Sequence, residues 1–119
     1  MHLPEMTVDS TDVYVVLLQR LRLATPVLSD ATLEVATDIP RTSSRTERAL
    51  TIVARRCRAL GLPTLSALVV RESTGVPRSY YFDVAHGLDF DADRPAATFQ
   101  WTQEVTAVLR CAASYPTRL

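Results

Sequence analysis

The chain contains no lysine and no asparagine, and all thirteen of its basic residues are arginine. Isoleucine is also scarce, with two residues, whereas alanine occurs fourteen times. Lysine and asparagine have AT-rich codons, while alanine and many arginine codons are GC-rich, so this composition indicates a high-GC bacterial genome. The genome alone therefore accounts for the choice of arginine, and only the positions of the arginines carry functional information.

Long apolar runs are missing as well. The longest, Val13–Leu18, is far shorter than the roughly 20 residues that a membrane span needs. The N-terminal segment carries Glu5, Asp9 and Asp12 and no early base, which differs from the basic-then-apolar order of a secretion signal. We therefore predict a cytoplasmic protein with no membrane partner.

Cysteine and glycine are rare, with two and three residues. Cys57 and Cys111 fall on predicted apolar helix faces, and a reducing compartment argues against a disulfide between them. No repeat or Gly/Ser-rich linker divides the 119 residues, of which 47% are hydrophobic, so we predict a single domain over 1–119. Residues 1–9 are predicted to be a tail.

The net charge is zero, with thirteen basic and thirteen acidic residues, but the charges are segregated. Residues 1–40 hold two arginines and six acids, and residues 41–78 hold eight arginines and two acids. Residues 79–93 hold four aspartates and no base, and residues 94–119 hold three arginines and one acid. The local charges are therefore −4, +6, −4 and +2, and a phosphate or an acidic partner would meet a basic middle block.

Four segments have helical patterns. Val13–Ala24 follows capping residues and ends before Pro26, although its β-branched valines also fit a strand. Residues 30–38 alternate like a strand but also fit a short helix that ends before Pro40, and we favour the helix. Ser44–Leu60 begins with a capping box and ends at Gly61, with arginines opposite an apolar stripe. Thr102 is predicted to cap a final helix that reaches about Ala113, within a C-terminal segment 98–113.

Two strands are predicted between these helices. Leu65–Arg71 forms the first, and Ser79–Val84 returns after a turn that contains Gly75 and Pro77. Together they predict an antiparallel hairpin, with Ala97–Trp101 as a candidate third strand. The predicted fold class is therefore α+β and winged-helix-like, with helices packed on a small antiparallel hairpin or three-stranded sheet.

The stretch Leu33–Leu50 (LEVATDIPRTSSRTERAL) carries an Ala on its first helix, a hydrophobe in the turn and a Ser/Thr/Arg-rich start to its second helix. In these features it resembles a helix-turn-helix, and with the hairpin behind it residues 30–84 resemble a winged helix-turn-helix domain. Pro40 in the turn and the absence of a turn glycine depart from the pattern. The layout is also similar to the DNA-binding half of alkylguanine alkyltransferases, but their Pro-Cys-His-Arg motif is absent from Leu62–Val69, so that repair chemistry is not supported.

The resemblance implies a DNA-binding, regulator-like protein that forms a homodimer, because paired half-sites usually require a two-fold axis. A recognition helix presents its first turns to the major groove, and arginine binds phosphate or guanine through two parallel hydrogen bonds. The predicted contacts lie at the start of the second helix, farther along it and beside the wing: Ser43, Ser44, Arg45, Arg48, Arg55, Arg56, Arg71 and Arg78.

Two other functions remain open at this point. The first is a protein-interaction or inhibitor module that uses the basic face against an acidic partner and the acidic segment Asp83–Asp93 elsewhere. The second is a small hydrolase or nuclease that uses His86 with Tyr80 or Tyr81, Glu72 and Arg78.

No cofactor or metal site is predicted. Asp89, Asp91 and Asp93 have the spacing of a calcium loop, but Arg94 and Gln100 occupy the positions that such a loop gives to Gly and Glu. The chain also lacks a phosphate loop, a dinucleotide fingerprint and Cys/His zinc spacing. Trp101 is predicted to pack in the core.

Overall fold

The computed structural model describes residues 3–119, so Met1 and His2 of the predicted tail lie outside the described residues. The helices of the described part are α1 (Val8–Arg20), α2 (Asp30–Thr37), α3 (Ser44–Ala59), α4 (Ser79–His86) and α5 (Arg94–Arg110). Two strands, β1 (Leu28–Ser29) and β2 (Val69–Val70), and two 3₁₀ helices, Leu65–Leu68 and Ala112–Ser114, complete it. None of the helices in residues 3–119 is long and apolar enough to cross a membrane.

The helix α3 confirms the clearest sequence prediction. Its apolar stripe, with Val53 and Cys57 at 0% exposure, packs into the main core. Gly61 adopts a positive φ of 73° after the helix, and its N–H donates to Arg58 while the N–H of Leu62 donates to Cys57, as in a Schellman motif. The predicted cap was one residue late, because Ser43, not Ser44, accepts the N–H of Arg45.

The helices α1 and α2 were also expected, with different bounds for α1. Thr7 and Ser10 form a reciprocal capping box that starts α1 at Val8, five residues before the predicted start. The strand alternatives for both segments are wrong, because each forms a helix. The helix α2 ends at Asp38, which adopts the left-handed conformation (φ 59°) two residues before Pro40.

The main core lies between α1, α3 and the 3₁₀ helix Leu65–Leu68. Val13, Leu17 and Leu68 are fully buried there. The C-terminal segment covers this core, because the hydroxyl of Tyr14 donates to the Pro116 carbonyl at 2.5 Å. The hydroxyl of Tyr115 likewise donates to Pro63 at 2.5 Å, so hydrogen bonds fasten the end of the described chain to the helices.

The two strands form a parallel pair, in which Leu28 faces Val69 and Ser29 faces Val70. Only the last part of the predicted strand Leu65–Arg71 is therefore a strand, since residues 65–68 form the 3₁₀ helix. Thr64 caps that 3₁₀ helix by accepting the N–H of Ser66. The parallel pairing brings the segment after β1 beside the segment after β2.

The predicted returning strand Ser79–Val84 is wrong, because these residues belong to α4. The alternation of Tyr80, Phe82 and Val84 suggested a strand, but the buried residues are Tyr81, Phe82 and Ala85, which share one face of a helix. They pack with Ala97 in a second core cluster. Gly87, in the left-handed conformation, ends α4 after eight residues.

The predicted third strand, Ala97–Trp101, is also wrong. The side chain of Asp93 caps α5 by accepting the N–H of Ala96 at 3.1 Å, and Pro95 lies in the first turn, so the helix begins eight residues before the predicted cap Thr102. The indole of Trp101 is half-buried beside the second core cluster and donates to the Ala67 carbonyl at 2.8 Å.

These findings overturn the predicted α+β winged-helix-like fold. The described chain is mostly helical, and its one sheet is the two-stranded parallel pair of β1 and β2. The predicted antiparallel hairpin does not form, because the apolar residues after the turn at Gly75 form a helix that packs against α3 and α5. The buried residues therefore recur with the helical period of about 3.6 residues.

Candidate functional site

A cleft opens at the carboxyl ends of the two strands. β1 leads directly into Asp30, and β2 leads directly into Arg71, so the parallel register brings these residues to the same edge. The turn between α2 and α3 contributes Arg41, and the start of α4 contributes Arg78. Four separate segments therefore place three arginines and one aspartate around a single opening.

Asp30 anchors this arrangement. Its side chain is 9% exposed, and its Oδ2 accepts from Nη2 of Arg78 at 3.0 Å. Its Oδ1 accepts the backbone N–H of Glu72 at 3.2 Å. One buried carboxylate thus holds both ends of the loop that joins β2 to α4.

The loop itself is a tight turn. The N–H of Arg71 donates to Val76 at 2.9 Å, and the N–H of Gly75 donates back to Arg71 at 2.8 Å. Gly75 adopts a φ of 73°, as its position in the turn predicted. The turn presents the side chain of Arg71, which is exposed and forms no ion pair within residues 3–119.

Arg41 lies opposite this loop. Its Nη1 donates to Oε2 of Glu72 at 3.1 Å, and its backbone N–H donates to Oε2 of Glu34 at 3.1 Å. Its Nε lies 3.9 Å from the other Glu34 oxygen. A guanidinium has five N–H donors, so Arg41 and Arg78 both keep donors that their carboxylate partners do not use.

Two helices begin at the cleft, since α3 contributes Ser43 and Ser44 and α4 contributes Ser79 and Tyr80. The first amides of a helix have no partner within that helix and carry partial positive charge. No side chain caps α4 within the described residues. Burial raises the pKa of Tyr80, and nearby Arg78 opposes that shift.

The open part of the cleft has a volume of about 370 Å³. Its lining contains three arginines and one carboxylate, beside hydroxyl groups and an aromatic ring: Arg41, Thr42, Ser43, Ser44, Glu47, Arg71, Arg78, Ser79 and Tyr80. Such a lining offers many hydrogen-bond donors to an anion. Asp30 and Glu72 lie on the adjoining side of the opening.

The structure brings four of the predicted contact residues to this cleft: Ser43, Ser44, Arg71 and Arg78. Arg48 and Arg55 lie outside it, on the exposed face of α3 that continues from Ser44. They are seven residues apart, and at 1.5 Å per residue their positions are about 10 Å apart along the helix. Neither forms an ion pair within the described residues.

The other two predicted contacts have structural partners. Arg45 forms two hydrogen bonds of 3.0 Å with Asp9 on α1, and this guanidinium holds the pKa of the Asp9 carboxyl below its usual range. Arg56 donates to the backbone oxygens of Leu119 and Pro4, at 2.6 to 3.1 Å. Arg58, on the same helix, donates to the carbonyl of Ala85.

Comparison of the chain with protein-family models, with curated proteins and with solved structures gives no match.

The residue set of the nuclease hypothesis is not assembled. Tyr80, Glu72 and Arg78 lie at the cleft, but His86 lies at the opposite end of α4 and does not line it. The Nε2 of His86 lies 3.2 Å from the Tyr81 hydroxyl, and burial lowers the pKa of His86. The imidazole packs edge-on against the ring of Tyr81, which belongs to the second core cluster.

The acidic segment after α4 has local roles. Asp91 pairs with Arg94 at 2.9 Å, Asp89 accepts the N–H of Asp91, and Asp93 caps α5. No group of three His, Cys, Asp or Glu side chains in residues 3–119 is arranged to hold a metal ion.

The sequence did not indicate Arg41 or Asp30 as site residues, and it indicated Glu72 only in the nuclease hypothesis. Arg41 belongs to the basic block and follows Pro40, which marks it as a turn residue. The two carboxylates carry no such signal, because their roles depend on the parallel pairing of β1 with β2.

Proposed function

We propose that this protein binds the phosphate backbone of DNA, with the cleft as the principal contact. The observation that carries the proposal is the convergence of Arg41, Arg71 and Arg78 from three separate segments on one opening. Arginine binds phosphate through parallel hydrogen bonds that a point charge does not reproduce. The starts of α3 and α4 add backbone donors at the same place.

The exposed face of α3 favours a polymer over a small anion. Arg48 and Arg55 extend the basic surface away from the cleft, in a line that starts at Ser44. A nucleic-acid backbone presents phosphates at regular intervals, so one strand can contact the cleft and these arginines together. This supports a backbone contact and makes no claim on base sequence, because phosphate contacts position a protein without reading sequence.

The test is a titration of fluorescently labelled duplex DNA at about 50 mM and about 200 mM salt, because phosphate contacts make affinity strongly salt-dependent. We expect binding at the lower salt concentration and a marked loss at the higher one. No binding at low salt would overturn the proposal. An acidic protein partner, sought by co-purification from the native host, would then be the hypothesis to pursue.

The variant Arg71→Ala locates the contact. We expect it to weaken DNA binding about ten-fold at low salt and to reduce the salt slope by about one, as for the loss of one phosphate contact. Arg110→Ala is the matched control, because Arg110 is an exposed arginine that does not line the cleft. An equal loss of affinity in both variants would contradict a contact at the cleft.

A further inference from the structure

We infer that Glu72 determines the selectivity of the cleft, because its carboxylate occupies one Arg41 donor that a phosphate would use. This inference rests on the proposed function. It adds that a carboxylate of the chain itself competes with the ligand at the same site. A ligand that uses all the guanidinium donors of Arg41 has to displace the Glu72 carboxylate. The cleft is then selective for anions that bind arginine more strongly than a carboxylate does.

The contact between Glu72 and Arg41 is weak enough for a ligand to replace it. Oε2 of Glu72 accepts from Nη1 of Arg41 at 3.1 Å, and the side chains are 65% and 40% exposed. Exposed ion pairs of this type contribute little to stability. The backbone of Glu72 is fixed by its hydrogen bond to Asp30, so its side chain can leave Arg41 while the loop stays in place.

The second carboxylate of the cleft behaves differently. The side chain of Asp30 is 9% exposed and holds both Arg78 and the Glu72 amide. Displacement of Asp30 would leave a buried charge without a partner. Two carboxylates accept hydrogen bonds from the guanidinium groups of cleft arginines. Asp30 is therefore a fixed support, and Glu72 is a competitor that a ligand can replace.

Phosphate is suited to this replacement. A guanidinium binds carboxylate and phosphate with the same planar set of donors. A phosphodiester offers two charged acceptor oxygens, as a carboxylate does, and on a polymer it also brings neighbouring phosphates to Arg71 and Arg48. An isolated small carboxylate or halide brings no such neighbours, so Glu72 disfavours isolated monoanions and admits phosphates that make several contacts.

The chain offers a close control for this idea. Glu47 also lines the cleft, but it forms no ion pair within the described residues. Glu47→Gln and Glu72→Gln therefore remove the same charge from the same opening, and only the second removes a carboxylate that pairs with an arginine. Arg41→Ala, alone and combined with Glu72→Gln, tests whether the effect passes through Arg41.

Labelled duplex DNA at about 50 mM salt is the first probe. Because an exposed pair of this type is weak, we expect Glu72→Gln to tighten binding about three- to five-fold, with a smaller gain for Glu47→Gln. In the Arg41→Ala background the gain from Glu72→Gln should fall to that of Glu47→Gln. Equal gains from the two glutamine variants, or an unchanged gain without Arg41, would overturn the inference and leave the proposed function intact.

Inorganic phosphate is the second probe, followed by the NMR signals of the arginine side chains. We expect Glu72→Gln to bind phosphate more tightly than the wild type does, with the Arg41 signal moving. If that gain is found and duplex DNA does not bind, the proposed function fails and the inference stands. If neither probe binds wild type or Glu72→Gln, both fail.

Discussion

Arg55 and Arg56 are neighbours in the sequence, yet their side chains meet different surroundings. Arg56 is half-buried and donates to the backbone oxygens of Pro4 and Leu119, so it ties both ends of the described chain to α3. Arg55 is exposed and forms no ion pair within residues 3–119. One helix thus carries arginines that hold the fold together and arginines that are free to contact a ligand.

The same division holds for the whole basic block. Arg45 binds Asp9, and Arg58 donates to the carbonyl of Ala85. Both therefore belong, with Arg56, to the arginines that hold the fold together. Arg48 and Arg71 belong, with Arg55, to the exposed arginines that form no ion pair within the described residues. Arg78 lies between the two groups, because it binds Asp30 and also lines the cleft. A count of arginines in this chain therefore overestimates the charge that is available to a partner.

The largest effect on stability should come from removing Asp30, which binds Arg78, the arginine that lies between the two groups. Asp30→Ala leaves Arg78 without its buried partner and releases the Glu72 amide, so we expect the free energy of unfolding to fall by about 3 kcal/mol. Urea denaturation measures this loss, and DNA binding should weaken as well. Asp91→Ala is the control, since both side chains of its ion pair with Arg94 are largely exposed to solvent. A loss no larger than that of the control would contradict the anchoring role of Asp30.

A smaller effect separates Arg56 from Arg55. Arg56→Ala removes its hydrogen bonds to two backbone segments and should lower the free energy of unfolding by about 2 kcal/mol. Arg55→Ala should change stability by less than about 0.5 kcal/mol, as expected for an exposed side chain. In DNA titrations of the folded proteins the order should reverse, with the larger loss for Arg55→Ala. The same order in both measurements would mean that the division between the two groups is incorrect.

The smallest effect concerns Arg45 and Asp9. Arg45 lowers the pKa of the Asp9 carboxyl in the folded protein, so ionisation of Asp9 stabilises the folded state. This contribution is present above the unfolded pKa of 3.8 and is lost as the pH falls through the folded value. In an NMR titration, Arg45→Ala should return the pKa of Asp9 toward 3.8. An unchanged pKa would show that another group stabilises the carboxylate.

Local signals were sufficient for α2 and α3. A capping serine, an apolar stripe and a glycine after the last turn all act within a few residues, so the sequence alone predicted Ser44–Leu60 almost correctly. The start of α5 also had a local signal, namely Asp93 before Arg94 and Pro95. The predicted strand at Ala97–Trp101 and the predicted cap at Thr102 overlooked this signal.

The segment Ser79–His86 lacked a decisive local signal. Its aromatic residues fit both a strand, through Tyr80 and Phe82, and a helix, through Tyr81 and Phe82 with Ala85. Packing against Ala67 and Ala97 selects the helix, and these residues are distant in sequence. The winged-helix prediction failed at this point, because the contacts that select the helix come from residues distant in sequence.

The sequence by itself determined the amphipathic helix α3, its arginine face and the turn at Gly75, because capping, periodicity and positive φ depend on nearby residues. The tertiary structure decided which arginines remain available for a ligand. Their partners, such as Asp9 for Arg45 and Leu119 for Arg56, come from distant segments. The cleft likewise depends on the parallel pairing of β1 with β2, which no local pattern specifies.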